Sequence, residues 1–96
     1  MLLAQLTDTH ITVPQTKNEN CYVKLQALQK CVLQINELDP LPDVVVHTGD
    51  LSHNGRTDEY KLTKSIMDEL EVPYLITAGN RDSTKNLVNE FKLSYV

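Results

Sequence analysis

Asp43-Val44-Val45-Val46-His47-Thr48-Gly49-Asp50 is the stretch that decides the fold. Three β-branched residues in succession, without polar alternation, read as a short strand covered on both faces and therefore central in its sheet. Two further short runs, Leu2 to Leu6 and Pro73 to Thr77, flank it in the chain. Helical stretches separate the runs. Cys21, Leu25, Leu28, Val32, Ile35 and Leu38 recur at three- and four-residue steps, one apolar stripe on a helix that Pro40 and Pro42 stop. A second helix is expected to start near Thr57, whose hydroxyl would cap it while Asp58 and Glu59 complement its positive end; Leu62, Ile66, Met67 and Leu70 form its buried side. A third, opened by Asp82 or Ser83, carries Leu87, Val88 and Phe91. Strand, loop and helix, three times over, predict an α/β domain with a parallel sheet. No internal repeat, low-complexity tract or Gly/Ser linker divides residues 1–96, which read as a single domain.

Composition narrows the function. With 96 residues, 41% of them hydrophobic, no tryptophan and one phenylalanine, the chain has material for one small domain with a modest core. Nine basic against thirteen acidic residues leave a formal charge of -4 and no basic cluster, which argues against a nucleic-acid surface and for a small substrate. No apolar run approaches the ~20 residues a membrane helix needs. Met1 is followed by Leu-Leu-Ala-Gln with neither a charged leader nor a cleavage signature, so a cytoplasmic location without a membrane partner is expected. Cys21 and Cys31, ten residues apart on one helix, would lie about 15 Å apart, too far to bridge, and are expected to be free thiols.

Each strand ends in a polar cluster: Thr7-Asp8-Thr9-His10, then Thr48-Gly49-Asp50, then Ala78-Gly79-Asn80-Arg81-Asp82. Open parallel sheets bind ligands at the carboxyl ends of their strands, so three clusters far apart in sequence are predicted to meet at one edge. Asp8 and His10, two apart, can offer an oxygen and an imidazole nitrogen to one cation. Asp50 adds a carboxylate able to bridge two metals, Asn80 adds a neutral carbonyl oxygen, and Gly49 and Gly79 let the backbone approach whatever is bound. The mixed oxygen and nitrogen set suits manganese, iron or zinc. Two such ions about 4 Å apart would activate a water and clamp the attacking and leaving oxygens of a phosphate ester. An Asp or Asn beside Gly is, taken singly, an ordinary turn former. Three such clusters, each closing its own strand, are not so easily explained.

These motifs resemble the calcineurin-like metallophosphoesterase superfamily, with its Asp-x-His, Gly-Asp and Gly-Asn-His-Asp/Glu elements, and within it the class III cyclic nucleotide phosphodiesterases. The resemblance rests on Gln5 to Ile11, His47 to Gly55 and Ala78 to Asp82, and it covers nearly the whole chain. It implies the N-terminal half of an αββα sandwich, a metal-dependent phosphoester hydrolase and a small phosphodiester substrate such as a 3′,5′-cyclic nucleotide. It also implies two divalent metals, with Asp8 and His10 on the first, Asp50 bridging both and Asn80 on the second. Arg81 stands where the family has His; a guanidinium stays charged and cannot act as an acid or base, but with Asn80 and His10 it could hold the substrate phosphate. No histidine follows Asn80, whereas the family takes three more from its C-terminal half, so the site is expected to be incomplete and weakly loaded. The alternative is a non-catalytic remnant or a half-domain that assembles with a second copy or with a C-terminal half. One face or edge of the sheet is then expected to be exposed. His47 is expected to be packed and hydrogen bonded, and His53 to reach a substrate or lie in a solvated loop.

Overall fold

The computed structural model describes residues 2–12 and 20–93. Its elements alternate as the sequence predicts: β1 (Leu3–Leu6), α1 (Asn20–Asn36), β2 (Val44–His47), α2 (Thr57–Met67), β3 (Tyr74–Ile76) and α3 (Thr84–Phe91). The strands form one parallel sheet in the order β1-β2-β3, with Leu3 opposite Val44 and Val45 opposite Tyr74. The predicted runs are about one residue longer at their ends because pairing continues there: Asp43 N–H donates to Leu2 C=O, Val45 N–H to Pro73 C=O and Thr77 N–H to His47 C=O.

β2 is central, and among the described residues one of its faces is covered and the other is half-open. With parallel strands in sequential order, the right-handed crossover rule sends α1 and α2 to one side of the sheet, and Leu87 and Phe91 of α3 pack there with Tyr60 and Ile76. Leu6, Val45, His47, Tyr74 and Ile76 face that side, where two apolar clusters lie. Ile11, Leu28, Val32, Ile66 and Met67 form one, and Leu51, Tyr60, Ile76, Leu87 and Phe91 form the other. On the opposite side Leu3 and Leu75 are 52% and 49% exposed, and Val44 and Val46 are half-buried. The expected open sheet face is thus present among the described residues. The valine run fills one covered and one open face instead of two covered ones.

Three smaller expectations change. α1 ends at Asn36, before the prolines, where the Asn36 amide donates to Glu69 C=O and accepts from Glu71 N–H. Leu38 consequently leaves the stripe and is 49% exposed, while Leu28, Val32 and Ile35 are buried. The cap of α2 is Arg56, and Thr57 is its first helical residue. Glu59, expected to complement the positive end of the helix, is buried in its first turn: its carboxylate accepts from the backbone N–H of Asn54 and Arg56 and from the Asn54 amide, pinning the loop that follows β2. Ser83 caps α3 by accepting from Asn86 N–H, which leaves Asp82 for another task. Cys31 is a free thiol; the side chain of Cys21 lies outside the described residues. No helix among them is long and apolar enough to cross a membrane.

Candidate metal centre

Beyond the ends of β1 and β2 the two loops keep pairing. Asp8 N–H donates to Gly49 C=O, His10 N–H to Asp50 C=O, Ile11 N–H to Leu51 C=O and His53 N–H to Ile11 C=O. This zipper carries Asp8 and His10 alongside Asp50. One ligand atom from each of the three lies within 4.8 Å of the others. His10 Nε2 is 3.5 Å from Asp8 Oδ1.

The backbone at these positions is unusual. Asp8, His10 and Asp50 adopt φ of 55°, 45° and 54°, the left-handed region that residues with a side chain enter at a cost. The remaining described non-glycine residue with positive φ is Lys92, which caps the end of α3. Strain concentrated on three residues whose polar atoms converge is a signature of a functional site.

Asn80 occupies the exposed turn after β3, between two residues that press on Asp50. Arg81 N–H donates to Asp50 Oδ1 at 2.7 Å, and a Cβ at Gly79 would overlap the Asp50 nitrogen and Oδ1. A Cβ at Gly49 would come within 2.8 Å of the Gly79 Cα, so the two glycines lie against each other. Their small size lets the β2 and β3 loops close on one another. Arg81 is exposed and its side chain forms no ion pair among the described residues.

The loops are also tied by side chains outside the predicted ligand set. The Asp82 carboxylate accepts four hydrogen bonds: from the backbone N–H of Leu51 and Ser52 (3.2 Å each), from Gly79 N–H (2.8 Å) and from the Tyr60 hydroxyl (2.8 Å). Burial, with the Asp82 charge adding to it, pushes the Tyr60 hydroxyl up to about 12, and its oxygen accepts from Ser83 N–H. Between β1 and β2 the tie is His47. Gly49 N–H donates to its Nδ1 at 3.2 Å, which places the proton on Nε2, facing the Thr9 hydroxyl at 3.0 Å; that hydroxyl donates to Leu51 C=O at 2.9 Å. Burial holds His47 down at about 4, against the pull of the Asp82, Asp8 and Asp50 carboxylates, so the ring is neutral at pH 7. His47 is packed and hydrogen bonded, as expected. The one signal in the sequence for these ties was position: Thr9 between two candidate ligands, and Asp82 two residues after a third.

The donor set fits a cation. The Thr7 hydroxyl donates to Asp8 Oδ2 at 2.7 Å and, with Asp50 and His10 beside it, holds the Asp8 carboxyl below the usual range. Asp8 and Asp50 stand together with no lysine or arginine paired to either among the described residues. His10 Nδ1 is buried without a hydrogen-bond partner among them. His53 lies with its ring edge-on to His10, centroids 5.8 Å apart. A cavity of about 220 Å³ opens beside Asp8 toward Lys24, Leu28 and Cys31 of α1.

The profile of the calcineurin-like phosphoesterase family matches residues 1–95. The probable glycerophosphodiester phosphodiesterase GpdQ of Arcobacter nitrofigilis is 42% identical over 95 residues, spanning 96% of this chain and 34% of the relative. A probable cyclic nucleotide phosphodiesterase of Ruthia magnifica is 30% identical over 84 residues, 86% of this chain and 34% of that protein. The chain thus spans about a third of the length of the curated relatives it matches. A crystal structure of a protein of unknown function from Aquifex aeolicus shares the fold, with a TM-score of 0.53 and 22% identity over 94% of this chain and 48% of the other.

Proposed function

This chain belongs to the calcineurin-like phosphoesterase family, and we propose that it contributes the metal-binding strand ends of a phosphodiesterase acting on small phosphodiesters. The observation that carries the reading is the convergence of Asp8, His10 and Asp50, each in a left-handed backbone conformation, at the carboxyl end of the sheet. Asp8, His10, Asp50 and Asn80 are the ligands, and manganese, iron or zinc suits them. Divalent cations there supply Lewis-acid polarisation of the phosphoryl group and lower the pKa of a water nucleophile. Asn80 and Arg81, on the exposed turn over Asp50, bind and orient the phosphate; the guanidinium complements the charge that develops on its oxygens. Arg81 moves no proton.

A glycerophosphodiester is the first substrate reading, supported by the 42% identity to the GpdQ relative. The sequence motifs and the 30% identical relative favour a 3′,5′-cyclic nucleotide as the second. The cavity beside Asp8, with Lys24 on its wall, has room for a glycerol- or ribose-sized group.

The test is hydrolysis of bis(p-nitrophenyl) phosphate, glycerophosphoethanolamine and cyclic AMP with added manganese, comparing this chain with Asp50→Asn. Loss of activity in the variant supports the assignment, and equal activity in both refutes it. Absence of hydrolysis alongside retained manganese binding would favour the assembling, non-catalytic half.

A further inference from the structure

We infer that His47 is a positioning residue for the metal centre: through Thr9 it locks the loop carrying Asp8 and His10 in register with the loop carrying Asp50. The inference rests on the ligand assignment proposed above and goes one shell beyond it.

His47 lies on the last residue of β2, fully buried, on the face packed by the helices. A buried residue there needs only volume, and leucine or phenylalanine would supply it without burying two nitrogens. Both nitrogens are used instead, and neither partner is incidental. The Nδ1 acceptor takes the N–H of Gly49, the residue just before Asp50. The Nε2–H faces the hydroxyl of Thr9, the residue between Asp8 and His10. The Thr9 hydroxyl passes the chain on to the carbonyl of Leu51, just after Asp50. One continuous relay therefore grips Asp50 from both sides and anchors it to the middle of the Asp-x-His segment.

The relay answers a need that backbone pairing leaves open. Four backbone bonds fix the spacing of the two loops, but Asp8, His10 and Asp50 sit in left-handed conformations that relax unless the surroundings over-determine them. Metal ligands must be held to within about 0.5 Å, and residues one shell out do so through oriented hydrogen bonds. The direction of each bond is set: an N–H donor on Gly49 requires an unprotonated Nδ1, and a neutral imidazole then carries its proton on Nε2. No residue other than histidine presents an acceptor and a donor at that separation on one rigid ring.

The test uses the 96-residue chain and manganese(II), with affinity measured by electron paramagnetic resonance of the free ion. His47→Phe keeps the volume and removes both bonds; Thr9→Val keeps the shape and breaks the relay at its middle. Each is expected to weaken manganese binding by about tenfold. The double variant is expected to be no weaker than the poorer single one, because both cut the same chain. Nitrogen-15 spectra of the unmodified chain should show His47 protonated at Nε2 alone. Asp50→Asn separates the two claims. If it binds manganese as the parent does, the ligand assignment fails. If it loses binding while folded Thr9→Val and His47→Phe retain full affinity, the ligands stand and the positioning role is overturned. Should His47→Phe not fold, Thr9→Val and the tautomer spectrum decide by themselves.

Discussion

Lowering the pH from 7 to 5 should weaken the native state by about 2 kcal/mol through His47 alone. In the folded chain burial holds this imidazole at about 4, whereas in the unfolded chain it titrates near its ordinary value of 6.5. As pH falls below 6.5 the unfolded state takes up a proton that the native state refuses until about pH 4. Stability is therefore full above pH 6.5 and is lost progressively between that value and about 4. At about 1.4 kcal/mol per pH unit, the part of this window traversed by pH 5 amounts to about 2 kcal/mol, and the whole of it to about 3.4 kcal/mol. For a domain of this size 2 kcal/mol corresponds to roughly 10 °C in melting temperature. The assay is urea unfolding at pH 7 and pH 5 for the parent and for His47→Gln, which cannot titrate. Other groups contribute equally to both proteins, so the difference between their pH effects isolates His47. An equal loss in the two would refute a buried neutral imidazole, as would a nuclear magnetic resonance titration that places His47 near 6.5.

Asp82→Asn keeps the size but leaves one accepting oxygen and turns an amide donor either toward the N–H groups of Leu51 and Gly79 or toward that of Ser52; a loss of roughly 2–3 kcal/mol in thermal or urea unfolding is expected, with Tyr60→Phe costing about 1 kcal/mol. Gly79→Ala drives a Cβ into Asp50 and should cost about 1–3 kcal/mol while also weakening manganese binding, since the backbone must retreat from the very residue that bridges the loops. Arg81→Ala should reduce turnover of an aryl phosphodiester in a catalytically competent assembly about tenfold or more, with the melting temperature unchanged because the side chain is exposed and unpaired among the described residues. Unchanged turnover in Arg81→His would end its assignment to the phosphate. The open sheet face should make the chain associate at micromolar concentration, and Leu3→Lys with Leu75→Lys should restore a monomer in light scattering; a monodisperse parent would count against this.

Much of the fold was legible because the pattern of apolar residues speaks directly to burial. Leu28, Val32 and Ile35 repeat at helical steps and are buried; Leu87 and Phe91 do the same in α3. The pattern failed where burial depends on a choice made elsewhere. Val44 and Val46 have the composition of doubly covered strand residues, but which sheet face receives the helices is set by crossover handedness, a property of the whole chain. Leu38 has the right spacing for the stripe, but Asn36 ends the helix by bonding across to Glu69 and Glu71, a contact more than thirty residues away.

The candidate site divides along the same line. Residues that could bind a cation, Asp8, His10, Asp50 and Asn80, announce themselves by side-chain chemistry and by their place after each strand. Residues that hold them in place do not, because their chemistry is common and only its direction matters. Asp82 could equally have capped α3; the structure gives that task to Ser83 and turns the carboxylate back onto Leu51, Ser52 and Gly79. Glu59 could have served the helix dipole from solvent; it is buried beneath the loop that follows Asp50. Gly49 supplies the expected sharp turn, with φ of 124°, and the two glycines also lie against each other and against Asp50. What converges at this sheet edge is thus a set of strained positions, the proposed ligands, clamped by His47 through Thr9 of the β1 loop and by Asp82 from the β3 side. Rigidity imposed from both sides is what allows three residues to remain in left-handed conformations while their polar atoms face one another.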